Sequence, residues 1–439
     1  MSSATPDAHQ GTALPVGRTL LPPLSAEARH LLDGYLLHLG AVLPLTPRHR
    51  RDLPKAVAEL SQLLTSERGE RRPDYLQTPR FHAAYCWHFL PWNLFRLGRL
   101  LTGLGREWDD LTDGDLLLDV GAGPLALTQA LWMVRPDLRD KKLRWICLDR
   151  ARKVMQAGRD LFDRLTGGNS PWEIHLVGDS LQRGLPHINQ HHGPFRLVAA
   201  ANVVNEAVGS SHGEETLAER VARLLDPLTR RLDESRGRLL LVEPGTRLGG
   251  TLMGLARESL LDDGFSVLAP CTHHAECPLL GRNAPGWCHQ LMDVEGAPEW
   301  LQELAVLAAL PKRQASLSLL LAGRQPPAQK SSQKMARVVS SSFPLPSQNA
   351  LGRYACSAEG LLLLVEQAKA PLRAGGEALE YVLEAPPRRD AKSGALLARS
   401  PHSPAPAPYR DDRPAPRPRP VSNRPRPAGG PPKGRGRRR

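Results

Sequence analysis

Residues 115–124 read DLLLDVGAGP, and this stretch decides the fold. The apolar run is typical of a buried strand, and the glycines after it let the backbone turn toward the helical pattern LALTQALWMV. Strand-like runs and helical patterns then alternate along the chain. The later strand-like runs are LRWICLD (143–149), WEIHLVGD (172–179), FRLVAAAN (195–202) and GRLLLVEPG (237–245). This alternation predicts an α/β fold with a parallel, doubly wound sheet.

The glycine-rich turn predicts a cofactor site at the carboxyl ends of the strands. Gly121 and Gly123 would let the backbone approach a ligand, next to Asp119 on the first strand. Asp149 and Asp179 end the second and third strands, where carboxylates can bind ribose hydroxyls or a base amino group. The third glycine of a dinucleotide fingerprint is missing, which disfavours NAD and FAD. This order resembles the class I S-adenosyl-L-methionine-dependent methyltransferases; the alternative is a doubly wound domain with an empty crevice.

Residues that could act on a methyl acceptor are few. Asn205 and Glu206 follow the fourth strand, where methyltransferases place groups that face the methyl donor, and they are the catalytic candidates. No cysteine lies there to attack a pyrimidine carbon. Methyl transfer depends mainly on positioning, so the lack of a general base leaves activity open.

Four of the six cysteines lie between residues 270 and 357, and they predict a metal centre. They are Cys271, Cys277, Cys288 and Cys356, separated by 5, 10 and 67 residues. Thiolates select zinc, copper(I) or an iron–sulfur cluster, and the fourth ligand would come from a separate piece of chain. The alternative is four unrelated cysteines. Cys86 and Cys147 stand in apolar surroundings and are interpreted as core residues.

Most of the net positive charge of the chain lies in its C-terminal part. Residues 385–439 contain 15 Lys and Arg against 3 Asp and Glu, whereas the chain as a whole has a net charge of +13. This Arg/Pro-rich tail has few large apolar side chains, so it predicts disorder and contacts with RNA phosphates. A tail that only adds solubility is the alternative. No apolar run approaches the roughly 20 residues that span a bilayer, so no membrane partner is expected.

The expected organisation has five parts, with boundaries set by changes in composition. They are a disordered N-terminus (1–24), a helical region (25–110), a Rossmann-type domain (111–324) with a cysteine-rich segment (270–290), a small β-rich module (336–384) and the disordered tail (385–439).

Several motifs together resemble one family. They are DVGAGP, ANVVNEAV, LVEPG, APCTHHAECPL, GWCHQ and the late YACSAEG. The resemblance is to the methyltransferase-like family associated with the small ribosomal subunit of mitochondria and bacteria. It implies a protein that binds small-subunit rRNA during assembly and carries a [4Fe–4S] cluster on the four cysteines named above. Zinc on the same cysteines is the main rival, although C-x₂-C spacing is absent.

Two functions of different classes follow from this resemblance. The first is an rRNA-binding assembly factor of the small ribosomal subunit. The second is an active S-adenosyl-L-methionine-dependent rRNA methyltransferase. A third possibility is a redox or iron sensor. Because the first two dozen residues make a poor mitochondrial presequence, the expected location is the bacterial cytoplasm rather than the mitochondrial matrix.

Overall fold

The structure is a computed structural model of the chain. It describes residues 19–65, 75–209, 214–281, 284–324, 334–345, 349–367 and 375–401. Residues 1–18 of the predicted disordered N-terminus and residues 402–439 of the predicted tail lie outside the described residues. None of the helices within the described ranges is long and apolar enough to cross a membrane.

The predicted disorder of residues 19–24 is wrong. Leu20 and Leu21 are buried, and the Leu20 N–H donates to the Gly376 carbonyl at 3.2 Å. The Arg99 guanidinium donates to the Leu21 carbonyl at 2.7 Å. The leucines of this short segment are therefore held by partners distant in sequence, which composition alone does not reveal.

The next part of the chain is helical, as predicted. Its helices are α1 (Ala26–Asp33), α2 (Tyr35–Val42), α3 (Pro47–Thr65), α4 (Pro79–Ala84) and α5 (Leu90–Gly103). The Ser25 hydroxyl caps α1 by accepting from the Ala28 N–H at 3.1 Å. A π-helical turn, Tyr85–Phe89, joins α4 to α5. Cys86 within that turn is buried in the core, as predicted.

Within the described ranges, the central sheet has eight strands. They are β1 (Leu116–Val120), β2 (Arg144–Leu148), β3 (Glu173–Val177), β4 (Leu197–Ala201), β5 (Arg238–Pro244), β6 (Ser266–Ala269), β7 (Gln290–Asp293) and β8 (Gln314–Gly323). Their order is β3-β2-β1-β4-β5-β8-β6, with β7 paired to β8. The first five strands are parallel, whereas β8 runs antiparallel to its neighbours. The predicted parallel sheet is therefore confirmed, with an antiparallel strand added between β5 and β6.

Helices cover both faces of this sheet, which makes it doubly wound. They are α6 (Ala126–Val134), α7 (Arg152–Leu165), α8 (Leu181–His191), α9 (Val204–Val208), α10 (Leu217–Thr229), α11 (Arg247–Asp262) and α12 (Glu299–Leu307). Apolar side chains of α6 and α7 share one core with the N-terminal helices. Those of α8, α10 and α11 fill a second core on the opposite face. The strand β2 carries Cys147, which is fully buried as predicted.

A second sheet follows. Its strands are β9 (Met335–Val338), β10 (Phe343–Leu345), β11 (Ala350–Ser357), β12 (Gly360–Gln367), β13 (Ala378–Glu380), β14 (Val382–Leu383) and β15 (Leu396–Arg399). They lie in the order β13-β9-β11-β12-β15-β14, with β10 paired to β11. Alternate residues of β12 face two different cores, since Leu361 and Leu363 pack on the side of Cys356 while Leu362 and Leu364 pack on the other.

The predicted start of the disordered tail at residue 385 is wrong. The strand β15 pairs in parallel with β12, with Leu362 opposite Leu396 and Leu364 opposite Ala398. The run ALLA (395–398) is the one apolar stretch of the predicted tail, and all four of its residues are buried. The second sheet therefore extends to Arg399 rather than ending at residue 384.

Candidate functional site

The glycine-rich turn closes β1 as the sequence predicts. Gly121 and Gly123 have φ angles of 71° and 49°, a region that favours glycine. A Cβ atom on Gly121 would lie 2.6 Å from the Val203 side chain, so the turn also passes close to the segment after β4. The N–H groups of Gly121 and Ala122 donate to the Leu148 carbonyl at 2.8 and 3.1 Å, which holds the turn against β2.

Asp149 is part of this turn. Its carboxylate accepts from the Gly123 N–H at 3.0 Å and, through its other oxygen, from the Ala151 N–H at 2.8 Å. Each carboxylate oxygen retains a further lone pair that a ribose hydroxyl could use. The structure thus brings Gly121, Gly123 and Asp149 together at one edge of the sheet.

Asp119 lies directly behind the turn. Its side chain is buried, and its Oδ2 atom has no hydrogen-bond partner among the residues that the structure describes. Burial and the nearby Asp149 raise the pKa of Asp119 to about 7. A buried carboxylate oxygen without a partner is a position where a cationic or hydrogen-bonding ligand group would be favourable.

A pH-dependent stability follows from Asp119. Because its pKa of about 7 exceeds the ordinary value of 3.8, ionisation destabilises the folded state, and stability falls as the pH rises from about 4 to about 7. We expect Asp119→Asn to remove this loss. Urea unfolding should show the free energy of unfolding of the variant rising relative to the wild type by about 3 kcal/mol between pH 5 and pH 8. A difference that stays constant over this range would contradict the prediction.

Asp179 has different surroundings from the other predicted cofactor residues. Its carboxylate accepts from the Ser180 N–H at 2.7 Å and from the Arg183 guanidinium at 2.9 Å, both at the start of α8. Among the residues that the structure describes, no hydrogen bond or ion pair of its side chain joins it to the glycine-rich turn. A ligand that used Asp179 would have to share it with Arg183.

The catalytic candidates Asn205 and Glu206 lie near the end of β5, where Asn205 contacts the carboxylate of Glu243. The Asn205 N–H donates to Glu243 Oε1 at 3.3 Å, and Glu206 lies 3.8 Å from the Arg150 guanidinium. Glu243 is the next-to-last residue of β5 and is buried, so the carboxyl ends of β4 and β5 meet at this point. The arrangement can position a substrate, but it has no general base poised on a nucleophile.

A tyrosine that the sequence analysis missed lies near the carboxyl ends of these strands, a region that we call the crevice. Burial raises the pKa of Tyr85 strongly, and the nearby Tyr75, Glu206 and Asp149 raise it further. Tyr85 begins the π-helical turn between α4 and α5, and π-helical turns are frequent at functional sites. The N-terminal helical region therefore approaches the crevice at this turn. The aromatic run that precedes Pro91 was the available signal, but nothing in it indicates which part of the sheet it would cover.

The four predicted cysteines occupy one place between the two sheets. Burial raises the pKa of Cys356, and the nearby Cys271, Cys288 and Cys277 raise it further. The pKa of Cys288 is likewise raised by burial and then by Cys271 and Cys277. Cys356 lies on β11, and the other three lie in the segment between β6 and β7. The structure thus brings together thiols that are far apart in the sequence.

Three other side chains border this four-thiol site. The Nε2 atom of His273 lies 3.3 Å from the Cys356 Sγ atom. The buried Arg257 donates to the carbonyls of His273 and Ala275 at 3.2 and 2.6 Å. The buried Arg337 donates to the carbonyls of Pro270 and Gly376 at 2.7 and 2.8 Å. The two guanidiniums fasten the cysteine-rich segment and place positive charge beside the thiols.

Arg337 is buried beside the thiols. Burial lowers its pKa to about 10, although the nearby Cys271, Cys288 and Cys356 act in the opposite direction. No carboxylate among the described residues forms an ion pair with it. A buried guanidinium in this position is stabilised by anionic neighbours, which ionised thiols would provide.

The thiols do not form a site for a single metal ion. Within the part of the chain that the structure describes, no group of three or more His, Cys, Asp or Glu side chains could hold one. The prediction of a metal centre is therefore not established by the geometry.

Comparisons with known proteins point to a ribosomal family. A family model described as mitochondrial small ribosomal subunit Rsm22 matches residues 80–351, which is more than half of the chain. No curated protein matches the chain.

Solved structures of methyltransferases are also similar to the chain. Magnesium protoporphyrin IX methyltransferase from Synechocystis, with bound S-adenosylhomocysteine, is 14% identical, with 57% of this chain and 97% of that chain covered and a TM-score of 0.34. A methyltransferase from Geobacter sulfurreducens in complex with S-adenosylhomocysteine is 14% identical, with 51% and 90% covered and a TM-score of 0.28. The doubly wound fold described above follows from the strand order and does not depend on these similarities.

Proposed function

The chain belongs to the family of the mitochondrial small ribosomal subunit protein Rsm22, and we propose that it binds small-subunit rRNA and assists assembly of that subunit. In this proposal a [4Fe–4S] cluster on Cys271, Cys277, Cys288 and Cys356 joins the central sheet to the second sheet. The observation that carries the proposal is the convergence of these thiols, from two distant segments, beside two buried arginines.

The chemistry of the donors fits an iron–sulfur cluster. Four thiolates are the usual ligands of a [4Fe–4S] cluster, which supplies a redox-active crosslink when it is bound. Arg257 and Arg337 would balance the negative charge of such a centre. His273 contacts Cys356 directly, so we assign it to the surroundings of the cluster rather than to an RNA-facing surface.

Zinc fits the site less well. A zinc ion requires four sulfurs at about 2.3 Å from one point, and so requires the sulfurs to lie close to one another. The described residues offer no such single-ion position. In a [4Fe–4S] cluster each thiolate binds a different iron, so the sulfurs stand further apart. The C-x₂-C spacing that is common in zinc sites is absent from the sequence, and this absence favours the cluster.

The RNA-binding part of the proposal rests on the family and on the sequence of the basic tail. Residues 385–439 carry a large excess of Arg and Lys, spaced by Pro and Gly. Such a segment can neutralise phosphates without reading sequence, with an affinity that falls steeply as salt is added. The family model is described as mitochondrial. The bacterial cytoplasmic location expected from the sequence therefore stays a prediction.

The second candidate function is an active rRNA methyltransferase that uses S-adenosyl-L-methionine. The unpartnered Oδ2 atom of Asp119 and the positive φ angles of the glycine-rich turn favour a bound ligand there. Asp119, Gly121, Gly123 and Asp149 would hold the methyl donor, with Asp179 shared with Arg183. Asn205 and Glu206 would orient the acceptor, and the donor would supply the methyl group.

Sedimentation of the tagged chain in sucrose gradients tests the assembly function. We expect the chain to travel with small-subunit precursors, and we expect a deletion strain to accumulate such precursors. A chain that stays at the top of the gradient, in a strain with normal subunits, would contradict the proposal.

Two measurements separate the assembly factor from the enzyme. Calorimetric titration with S-adenosylhomocysteine tests binding of the cofactor. Mapping of methyl groups on rRNA from the deletion strain tests catalysis. A methyl group that is missing from the rRNA of the deletion strain and returns with the wild-type gene would identify an enzyme. An unchanged methylation map would support only the assembly function.

A further inference from the structure

Two cations lie near the π-helical turn Tyr85–Phe89 without an acidic partner among the described residues. Arg96 on α5 is half-buried, and its guanidinium donates to the Asn93 side chain. Lys312, in the loop before β8, is exposed, and its ammonium lies 5.6 Å from the centroid of the Trp92 ring. No carboxylate among the described residues forms an ion pair with either cation. We refer to Arg96 and Lys312 as the rim cations.

A buried histidine shows that the rim cations are neighbours. His88 is 1% exposed, and its Nδ1 atom has no hydrogen-bond partner among the described residues. Burial, followed by the nearby Lys312 and Arg96, lowers the pKa of His88 to about 3. The imidazole is therefore neutral at physiological pH, and it does not balance the charge of the rim cations.

The rim cations also adjoin the crevice of the candidate site. Tyr85 acts electrostatically on Arg96, and the same tyrosine neighbours Asp149 and Glu206. Lys312 precedes β8, whose residue Leu317 pairs with Pro244 at the carboxyl end of β5. The rim cations thus lie at the edge of the sheet where the glycine-rich turn and Asn205 are found.

The charge of the rim cations and an unused hydrogen-bond donor beside them would both be stabilised by an anion. A guanidinium that is partly removed from water is unfavourable unless an anion or several acceptors compensate it. The Trp92 indole N–H is also buried with no acceptor among the described residues. It leaves a further donor beside the ammonium of Lys312.

We propose that Arg96 and Lys312 bind a backbone phosphate of an RNA strand at the mouth of the crevice, an inference that rests on the proposed function. Arg and Lys are the usual partners of phosphate, and a phosphate contact fixes where a strand lies without reading its sequence. The exposure of Lys312 favours a ligand that reaches the rim from solvent. A methyl donor offers one carboxylate, but it also carries a sulfonium and an ammonium, which the two rim cations would repel. The bound phosphate would direct the neighbouring nucleotide toward Asn205 and the crevice.

Fluorescence anisotropy with a labelled single-stranded RNA oligonucleotide, over a series of salt concentrations, tests this inference on the full chain. We expect Lys312→Gln to lower the slope of log affinity against log salt by about 1. We expect Arg96→Gln to weaken binding about tenfold. Lys312→Arg should keep the wild-type slope. The matched control is Lys142→Gln, an exposed lysine at the opposite edge of the sheet, which should also keep the wild-type slope.

Affinity for S-adenosylhomocysteine, measured on the same variants, shows whether the rim cations bind the RNA or the cofactor. Unchanged RNA affinity and slope in both variants would overturn the inference, as would a loss of S-adenosylhomocysteine binding with RNA binding intact. Because Lys312 is exposed, its variants test the inference even if Arg96→Gln fails to fold. A wild-type chain that binds no RNA would defeat the proposed function as well, so the two failures are distinguishable.

Discussion

A chain carrying Cys356→Ser is expected to purify anaerobically with less than about one iron atom, against about four in the wild type. Cys356 is the thiol that the second sheet contributes to the site, while the other three come from the segment between β6 and β7. Serine keeps the size of the side chain but removes the soft ligand. Iron and acid-labile sulfide analysis measures the change.

The same substitution should also loosen the second sheet. Without an anionic centre, Arg337 stays buried with no carboxylate partner among the described residues, a situation that costs about 3–5 kcal/mol. Limited proteolysis should therefore cut the Cys356→Ser chain after residue 324 sooner than the wild type. Cys86→Ser is the matched control, since Cys86 is a buried thiol in the N-terminal helices and should leave the iron content unchanged. Wild-type iron in the Cys356→Ser chain would refute this arrangement.

Gly121→Ala is expected to weaken binding of S-adenosylhomocysteine at least about tenfold and to lower stability by about 1–3 kcal/mol. Its φ angle of 71° disfavours a side chain, and the added Cβ would lie 2.6 Å from Val203. Relief of that overlap requires the turn to move, which would break the donation from Gly121 to the Leu148 carbonyl. Calorimetry and urea unfolding measure the two effects.

Gly168→Ala provides the control for Gly121→Ala. Gly168 has a φ angle of 75°, but a Cβ atom there would meet nothing within 4 Å. This variant should show only the backbone contribution of about 1 kcal/mol, with wild-type binding. If Gly121→Ala binds the ligand like the wild type, the glycine-rich turn does not form the cofactor site.

The sequence predicted the central sheet because the signals for it are local. Each buried strand is a short apolar run, and the turn after β1 needs glycine at Gly121 and Gly123 for reasons that their φ angles confirm. The orientation of Asp149 was not predictable in the same way. Its carboxylate turns toward the Gly123 N–H, and that choice depends on how β1 and β2 pair.

The parts that the sequence did not predict depend on contacts between distant residues. Arg257 and Arg337 look like ordinary charged residues on a helix and a strand, and only the assembled fold buries them beside the cysteines. Tyr85 belongs to an aromatic run that reads as core, yet the π-helical turn brings it to the crevice. The predicted start of the tail at residue 385 was wrong because its one apolar run, ALLA (395–398), has only four residues. So short a run does not indicate a strand within a Pro- and Arg-rich segment.

Metal analysis of the full chain, purified without oxygen, tests the central claim most directly. A single inorganic centre that holds the two sheets together predicts about four iron atoms and about four sulfides per chain, with zinc absent. One zinc per chain, or a chain that folds with all four thiols free and no metal, would contradict it.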